Sequence, residues 1–434
     1  MAASIGFFGR NPWYVGPMDR EQERELIDGL IRQVVEQCPR RFPTSESEAR
    51  AQQIVRSHLE AAGVATRLHT FLFNASAPAN VALHFGLATL GTIVGGLAPR
   101  LAFALHAGST VSYYAESTRR AYLLRRILPH RPCQNLLGVL PAKEEPSLRI
   151  VFVAHVDAAF TGIAYDSRVV RAFSRKLPRG LGFLGRPMAF ATRAQAVLAG
   201  IDLVRSVVGP FAWPLRPIEL ALTLPSALIF FSSLEIVLRD EVVPGANDNL
   251  TGVAALPVLA HRLAQDKPDD VELVFVSTAA EEASMGGANA LARDMEAEWD
   301  KARTVVVVLD TLCSGNLCFL DPEGEVVRLP VPSWLRDSVL AVAASDPRFS
   351  EVQAFEPPLG GTDAAPFLAH GWDSVALTCI DRDLGSARHY HQPSDTPDNV
   401  DLDKVLTSVD FAEALARRIM TDRRRPRATA SDRV

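Results

Sequence analysis

His155, Asp157, Asp248, Glu281, Glu282, Asp310 and His391 stand at the ends of apolar runs, and side chains of these types bind metal ions and move protons. His155 and Asp157 follow RIVFVA as HVD. Asp248 lies in PGANDNLTG, Glu281 and Glu282 follow VELVFVSTAA, Asp310 follows TVVVVL, and His391 lies in RHYHQPSD. Each has a plain structural alternative. An HxD pair suits a surface turn, and paired glutamates suit the first turn of a helix. Asp310 suits a turn cap, His389 and His391 suit a solvated loop, and Asp248 between two asparagines suits a turn with capping side chains. Singly, these alternatives suffice. Jointly, they give no reason for a carboxylate or imidazole to recur at each strand end of an apolar sheet. A two-metal hydrolytic centre does. Nitrogen and oxygen ligands without cysteine suit Zn2+, two ions about 3.5 to 4 Å apart share one carboxylate, and another carboxylate must stay free for protons. Adjacent side chains diverge, so one glutamate of the pair can bind metal while its neighbour activates water. Asp157, two residues from His155, is placed to orient that imidazole.

The elements that must carry these residues follow from periodicity. Apolar residues recur at helical spacing from Arg20 to about Cys38 and from Glu46 to about Ala62, where Gly63 ends the helix. Val64 to Phe73 alternates as a strand does, and Gln134 to Leu140 and Arg149 to Ala154 read as further strands. After Asp248 the pattern predicts a helix over Leu250 to Leu263, with Pro257 kinking it or delaying its start. A strand over Val271 to Ser277, a helix over Glu282 to Trp299 and a strand over Thr304 to Leu309 come next. Pro332 to Ala344, Asp363 to Ala369, Ser374 to Thr378 and Leu402 to Met420 continue the alternation. This predicts an α/β fold, a three-layer αβα arrangement around a central, mostly parallel mixed sheet. Ligand sites in such sheets gather at the carboxyl ends of strands, so the candidate residues can meet.

The 434 residues are enough to bury a large core without staples, and they read as a single domain spanning 1–434. A formal net charge of -5 gives no electrostatic case for nucleic acid. Five scattered cysteines without CxxC spacing fit a reducing compartment. The first residues lack a basic segment followed by a long apolar run, so no secretory signal is expected, and the location expected is cytoplasmic. Residues 421–434 read as a flexible basic tail.

Two hydrophobic segments, 78–130 and 160–243, interrupt the rhythm as helical insertions. A spanning helix needs about 20 apolar residues. Val81 to Ala98 barely reaches that length, and the second insertion carries Asp202, Arg205, Glu219 and Glu235, which are costly in lipid. If the flanks of the first insertion share one sheet, it leaves and returns on the same side, as a hairpin or a surface-lying pair and not as a single crossing. Peripheral or re-entrant membrane contact, a hydrophobic lid and a homo-oligomer contact remain alternatives.

The ordered motifs HVD, GANDNLTGVAAL, AAEEASMGG, LDTLCSG, GGTDAAPFLAHG and YHQPSDTPDNV, with FPTSESEARAQQIVRSHLEAAGVATRLHTF and QNLLGVLP before them, resemble the zinc-dependent exopeptidase family. That family includes aminopeptidase Y, glutamate carboxypeptidase and glutaminyl cyclase, and the resemblance covers most of the chain outside the insertions. It implies two Zn2+ ions, one held by His155, Asp248 and Asp310 and the other by Asp248, Glu282 and His391. It also implies that Glu281 is the general base, which takes a proton from the attacking water and passes it to the leaving amine. Tyr390 matches a residue that in some members hydrogen-bonds the oxyanion, and packing is its alternative. The expected function is aminopeptidase cleavage of small peptides. An amidohydrolase or glutaminyl-cyclase-like acyltransferase on a non-standard, non-peptide or cyclising substrate is the second reading, and a membrane- or partner-binding module with little catalysis is the third. The family usually has a short connection between HVD and GANDN, where this chain has more than eighty residues.

Overall fold

The computed structural model describes residues 18–174, 186–209, 215–357 and 360–424. The start of the chain and residues 425–434 of the expected tail lie outside them. The first helix, α1 (Arg20–Gln37), begins with a reciprocal cap: the Asp19 carboxylate accepts from Glu21 and Gln22 N–H, and the Gln22 side chain accepts from Asp19 N–H. Ser45 caps α2 (Glu46–Ala61), and Gly63, at φ 79°, turns the chain out of it. There follow β1 (Ala65–Phe73), α3 (Ala77–Val94), α4 (Pro99–Ser117), β2 (Arg131–Leu140), β3 (Leu148–His155), α5 (Ser167–Ser174), α6 (Pro187–Val208) and α7 (Arg216–Arg239). The second half contains α8 (Thr251–Ala264), β4 (Val271–Thr278), α9 (Gly286–Asp294), β5 (Thr304–Asp310), β6 (Asn316–Leu320), α10 (Ser333–Ser345), β7 (Ala354–Phe355), α11 (Ala364–Ala369), β8 (Asp373–Ile380) and α12 (Leu402–Arg424).

The strands form one sheet in the order β1-β2-β4-β3-β5-β8-β6-β7. The inner four, β4, β3, β5 and β8, are parallel, with Ile150 opposite Leu273 on one side and Val305 on the other. β1, β2 and β6 pair antiparallel at the flanks, which makes the sheet mixed. Alternate residues of each inner strand serve opposite faces. Ile150, Phe152, Leu273, Phe275, Val305 and Val307 pack against α1, α2, α8, α10 and α12, whereas Val151, Val153, Val274, Val276, Val306 and Val308 pack against α9 and α11. Burial on both faces explains why these strands are apolar throughout.

The structure corrects the sequence reading at four places. The helix expected from Glu282 begins at Gly286, because Ala280, Ser284 and Met285 adopt positive φ and break the helical path. α8 begins at Thr251 and runs through Pro257 as one helix, so the proline does not delay its start, and its almost wholly buried side chains hold it in place. β6 and β7 were not foreseen. The basic segment expected to be flexible from 421 continues α12 to Arg424, where the Arg418–Asp422 pair and the Arg423 bond to Ala302 O tie it down.

Both insertions form helical hairpins, α3–α4 and α6–α7, in which α3 packs on α4 and α7, and α6 packs on the same two helices. The first hairpin leaves after Phe73 and returns before Arg131, residues paired in the β1–β2 ladder, as its shared sheet required. Asp202, Arg205 and Glu219 are buried and mutually paired between the helices rather than presented outward. Glu235 pairs with Arg239 and accepts from Ile163 N–H.

Candidate metal centre

The carboxyl ends of the inner strands supply the site. β3 ends in His155, β5 ends in Asp310, and the turn after β4 carries Glu281 and Glu282. Asp248 comes from the loop ahead of α8, and His391 from the loop between β8 and α12. The structure brings all of them together. The two oxygens of Asp248 face different imidazoles: Oδ1 lies 3.3 Å from His155 Nε2, and Oδ2 lies 3.2 Å from His391 Nε2. Glu282 Oε1 is 3.3 Å from His391 Nε2, and Asp310 Oδ2 is 3.9 Å from His155 Nε2. Ligand atoms of His155, Asp248 and Glu282 lie within 4.8 Å of one another.

Asn247 and Asn249 fix the Asp248 loop to the segment that follows β5. Asn249 donates to Leu309 O at 2.8 Å and accepts from Thr311 and Gly252 N–H, both at 3.1 Å, while Asn247 accepts from Cys313 N–H at 3.1 Å. The turn-and-cap reading of these asparagines and the metal reading of Asp248 are therefore compatible. From the other side, Asp395 accepts from Asn247 and Asp248 N–H at 2.8 and 3.0 Å. The buried guanidinium of Arg41 donates to Val156 O, Pro244 O and Gly245 O at 2.8, 2.5 and 2.6 Å. The Asp248–Asn249 peptide bond is cis, a feature the sequence did not signal.

The turn bearing the two glutamates is held by its backbone. Ala279 N–H donates to Asn135 Oδ1 at 3.0 Å, Ala280 N–H to Glu48 Oε1 at 2.8 Å, and Glu281 and Glu282 N–H to the two oxygens of Asp157 at 3.1 and 2.9 Å. Asp157, expected to orient His155, lies against that imidazole: His155 Nδ1 sits 3.2 Å from the Asp157 carbonyl oxygen and 3.7 Å from its Oδ1, while the carboxylate also holds the glutamate turn. The carbonyl is the nearer acceptor because the carboxylate is committed to two N–H donors. Arg41, Glu48, Asn135, Tyr165 and Asp395 were missed by the sequence reading, since their partners lie far away along the chain.

Tyr390 stacks on His391 with ring centroids 3.9 Å apart, and Tyr165 tilts against the same imidazole at 4.4 Å. Burial, reinforced by Asp248 and Glu282, raises the Tyr390 phenol well above its ordinary value, so it is a proton donor at neutral pH. Asp363, from the GGTD stretch, is buried, bonds Thr278 Oγ1 through Oδ2, and is pushed up to about 7 by burial.

The charge balance points to cations. Burial pushes Asp310 up to about 8 and raises Glu281 and Glu282 above the ordinary carboxylate range. For Asp248 burial acts in the same direction, but the imidazoles of His155 and His391 outweigh it and hold that carboxyl low. Burial opposes the charged forms of both imidazoles, yet the carboxylates around them raise both above the ordinary value. Among the described residues, Asp248 Oδ2 and Glu282 Oε1 are buried without a hydrogen-bond partner although both face His391. Oxygens converging on one space without bonding are costly unless something positive lies between them. The donor set is oxygen and imidazole without thiolate, which fits Zn2+.

Residues 233–416 match the model of Peptidase family M28. A zinc aminopeptidase from Bacillus subtilis, BSAP, has the same fold at 14% identity and TM-score 0.53, with 91% of this chain and 94% of that one covered. The glutaminyl cyclase of Fimbriiglobus ruber is equally similar, at 14% identity and TM-score 0.53 over 93% of this chain and 97% of that one. An aminopeptidase from Aneurinibacillus sp. strain AM-1 aligns at 14% identity and TM-score 0.52 over 91% and 93%. No curated protein matches the chain in sequence. Residues 233–416 are thus similar to peptidase family M28, and the chain has the three-layer α/β fold that these solved structures share.

Proposed function

We propose that this metallopeptidase-family chain is a two-zinc aminopeptidase that releases N-terminal residues from small peptides. The observation that carries the proposal is the position of Asp248, whose two oxygens each face the Nε2 of a different imidazole. His155, Asp248 and Asp310 would hold one ion, and Asp248, Glu282 and His391 the other. Bound zinc supplies Lewis acidity toward the scissile carbonyl and lowers the pKa of water.

The chain's own residues do the rest. The Glu281 carboxylate has no hydrogen-bond or ion-pair partner among the described residues, so it is free to accept a proton from the attacking water. Burial raises its pKa, which suits it to return that proton to the leaving amine near neutral pH. Asp157 and Glu48 keep the turn in place through its N–H groups, so Glu281 and Glu282 stay divergent. The Tyr390 phenol donates a hydrogen bond to the developing oxyanion.

Zinc-reconstituted protein assayed on aminoacyl 4-nitroanilides and dipeptides tests this. Turnover that is abolished by chelation and by Glu281→Ala is expected, and turnover indifferent to both contradicts the reading.

A second reading, a glutaminyl-cyclase-like acyl transfer at one ion, is favoured by the tight grouping of His155, Asp248 and Glu282, since Asp310 stands farther from His155. One zinc per chain and ring closure of N-terminal glutamine peptides would select it. Two zincs and plain hydrolysis select the aminopeptidase.

A further inference from the structure

We infer that α3, α4, α6 and α7 form a membrane-spanning four-helix bundle that holds the catalytic domain against the bilayer surface. The inference is independent of the reaction at the metal centre.

The polarity of the bundle is inverted relative to a water-soluble one, in which the apolar stripe faces inward. Its interior is polar. His106 Nδ1 lies 2.6 Å from Asp202 Oδ2, its Nε2 lies 3.1 Å from Thr92 Oγ1, and Thr92 is 2.6 Å from Thr223 Oγ1. Gln195 joins Ser109 to Ser226, each at 3.2 Å, and Arg205 pairs with Glu219. All of these side chains are buried. The outward face is apolar on every helix: Ile93, Val111, Val207 and Leu228 are 66%, 59%, 81% and 61% exposed. Among the described residues of these four helices, the only exposed side chains that carry a charge at neutral pH are those of Arg100, Arg193 and Arg239. Arg100 and Arg239 sit at helix ends, and Arg193 lies in the second turn of α6.

An apolar belt of this extent, wrapped around paired polar groups, is the arrangement lipid selects. Charged residues within membranes face the bundle interior and pair there, and small residues let helices approach closely. A Cβ at Gly91 would meet the His106 ring at 3.0 Å, and one at Gly86 would meet Phe230 at 2.8 Å. The helices have 18, 19, 22 and 24 residues. At the helical rise they are about 27 to 36 Å long, which matches a hydrocarbon core of about 30 Å. Two of them, Ala77–Val94 and Arg216–Arg239, each contain an 18-residue stretch apolar enough to cross a membrane, of which only 33% and 22% is buried.

Two hairpins return the chain to its starting side, so the bundle makes four crossings and the catalytic domain stays on one side. Arginines crowd the end nearest that domain, with Arg119, Arg120, Arg125 and Arg126 just after α4, whereas Arg100 and Arg216 mark the far end. The positive-inside rule puts the catalytic domain in the cytoplasm. Both hairpins stand on the sheet edge that bears the metal centre: Phe73 and Arg131 lie beyond the carboxyl end of β4, and the second insertion follows His155. Arg125 donates to Ala283 O and Ser284 Oγ at 2.7 and 2.9 Å, linking the end of α4 directly to the glutamate turn. The site therefore works beside the lipid surface.

Expression of the full chain followed by membrane fractionation tests the assignment. Retention in the pellet after alkaline carbonate and release only by detergent are expected. Recovery in the soluble fraction, as a monomer or as an oligomer that buries the belt against a second copy, overturns it. Single cysteines replacing Leu97, 94% exposed at the tip of the first hairpin, and Lys143, exposed on the catalytic domain, then test the crossing itself, because the native cysteines are all buried. In sealed inside-out vesicles an impermeant maleimide is expected to label Lys143→Cys at once and Leu97→Cys only after permeabilisation. Labelling of both from one side means the hairpin lies on the surface and overturns the span.

Discussion

Glu281 and Glu282 are adjacent and share acidic surroundings, yet they have different partners. Glu282 faces His391, and Glu281 keeps its carboxylate unpaired. If this division is the basis of catalysis, Glu281→Gln retains zinc and thermal stability while kcat falls by about a hundredfold to ten-thousandfold. Metal analysis alongside steady-state kinetics checks it, and loss of zinc in that variant would assign Glu281 to the ligands instead. A second residue-scale effect lies away from the ions. Glu323 is fully buried, bonds Thr362 through both oxygens and is pushed up to about 7 by burial. Its folded form holds a proton that the unfolded chain releases near pH 4.5, so its favourable contribution is complete below that pH and disappears as pH rises through about 7. Glu323→Gln is therefore expected to flatten the loss of stability between pH 5 and 8, by about 3 kcal/mol at most. Denaturant melts at the two pH values measure the difference, and an unchanged slope contradicts it.

At the scale of elements, closeness of backbone sets the metal loop. A Cβ on Gly252 would meet Leu309 O at 2.4 Å and Asn249 Oδ1 at 2.5 Å, so α8 can sit against β5 only with glycine there. Gly252→Ala is predicted to cost about 1 to 3 kcal/mol and to weaken zinc binding, because Asn249 must shift with the loop it holds. Gly29→Ala in the open middle of α1 should gain about 0.5 to 1 kcal/mol and leave zinc alone. Thermal melts and zinc titration of the two variants give the comparison. The same elements show what the sequence could reveal. β3, β4 and β5 were legible because strands covered on both faces are apolar at every position, and the candidate ligands stood out against that background. The five-residue β6 and two-residue β7 are too short for a period to emerge. Glu48, Arg41 and Asp395 act on backbone groups more than a hundred residues away, which no local pattern records. The bundle left a signal that passed unread: Ser109, Ser112, Tyr113 and Glu116 recur at helical spacing as a polar stripe on an apolar helix, marking the buried face.

For the whole molecule, buried carboxylates concentrated at one sheet edge tie folding to the ions that neutralise them. Removing zinc should lower the melting temperature, and a thousandfold excess of zinc over its dissociation constant should restore about 4 kcal/mol for each ion that binds only the folded chain. Calorimetry before and after chelation reads this directly. The measurement that bears most on the account is zinc content against turnover, as zinc is titrated into metal-free wild type and Asp248→Asn. The account predicts that wild type takes up two ions per chain, with aminoacyl-anilide hydrolysis rising in step, and that the variant retains neither ion and is inactive. Full turnover in the variant, or in wild type without bound zinc, would contradict it.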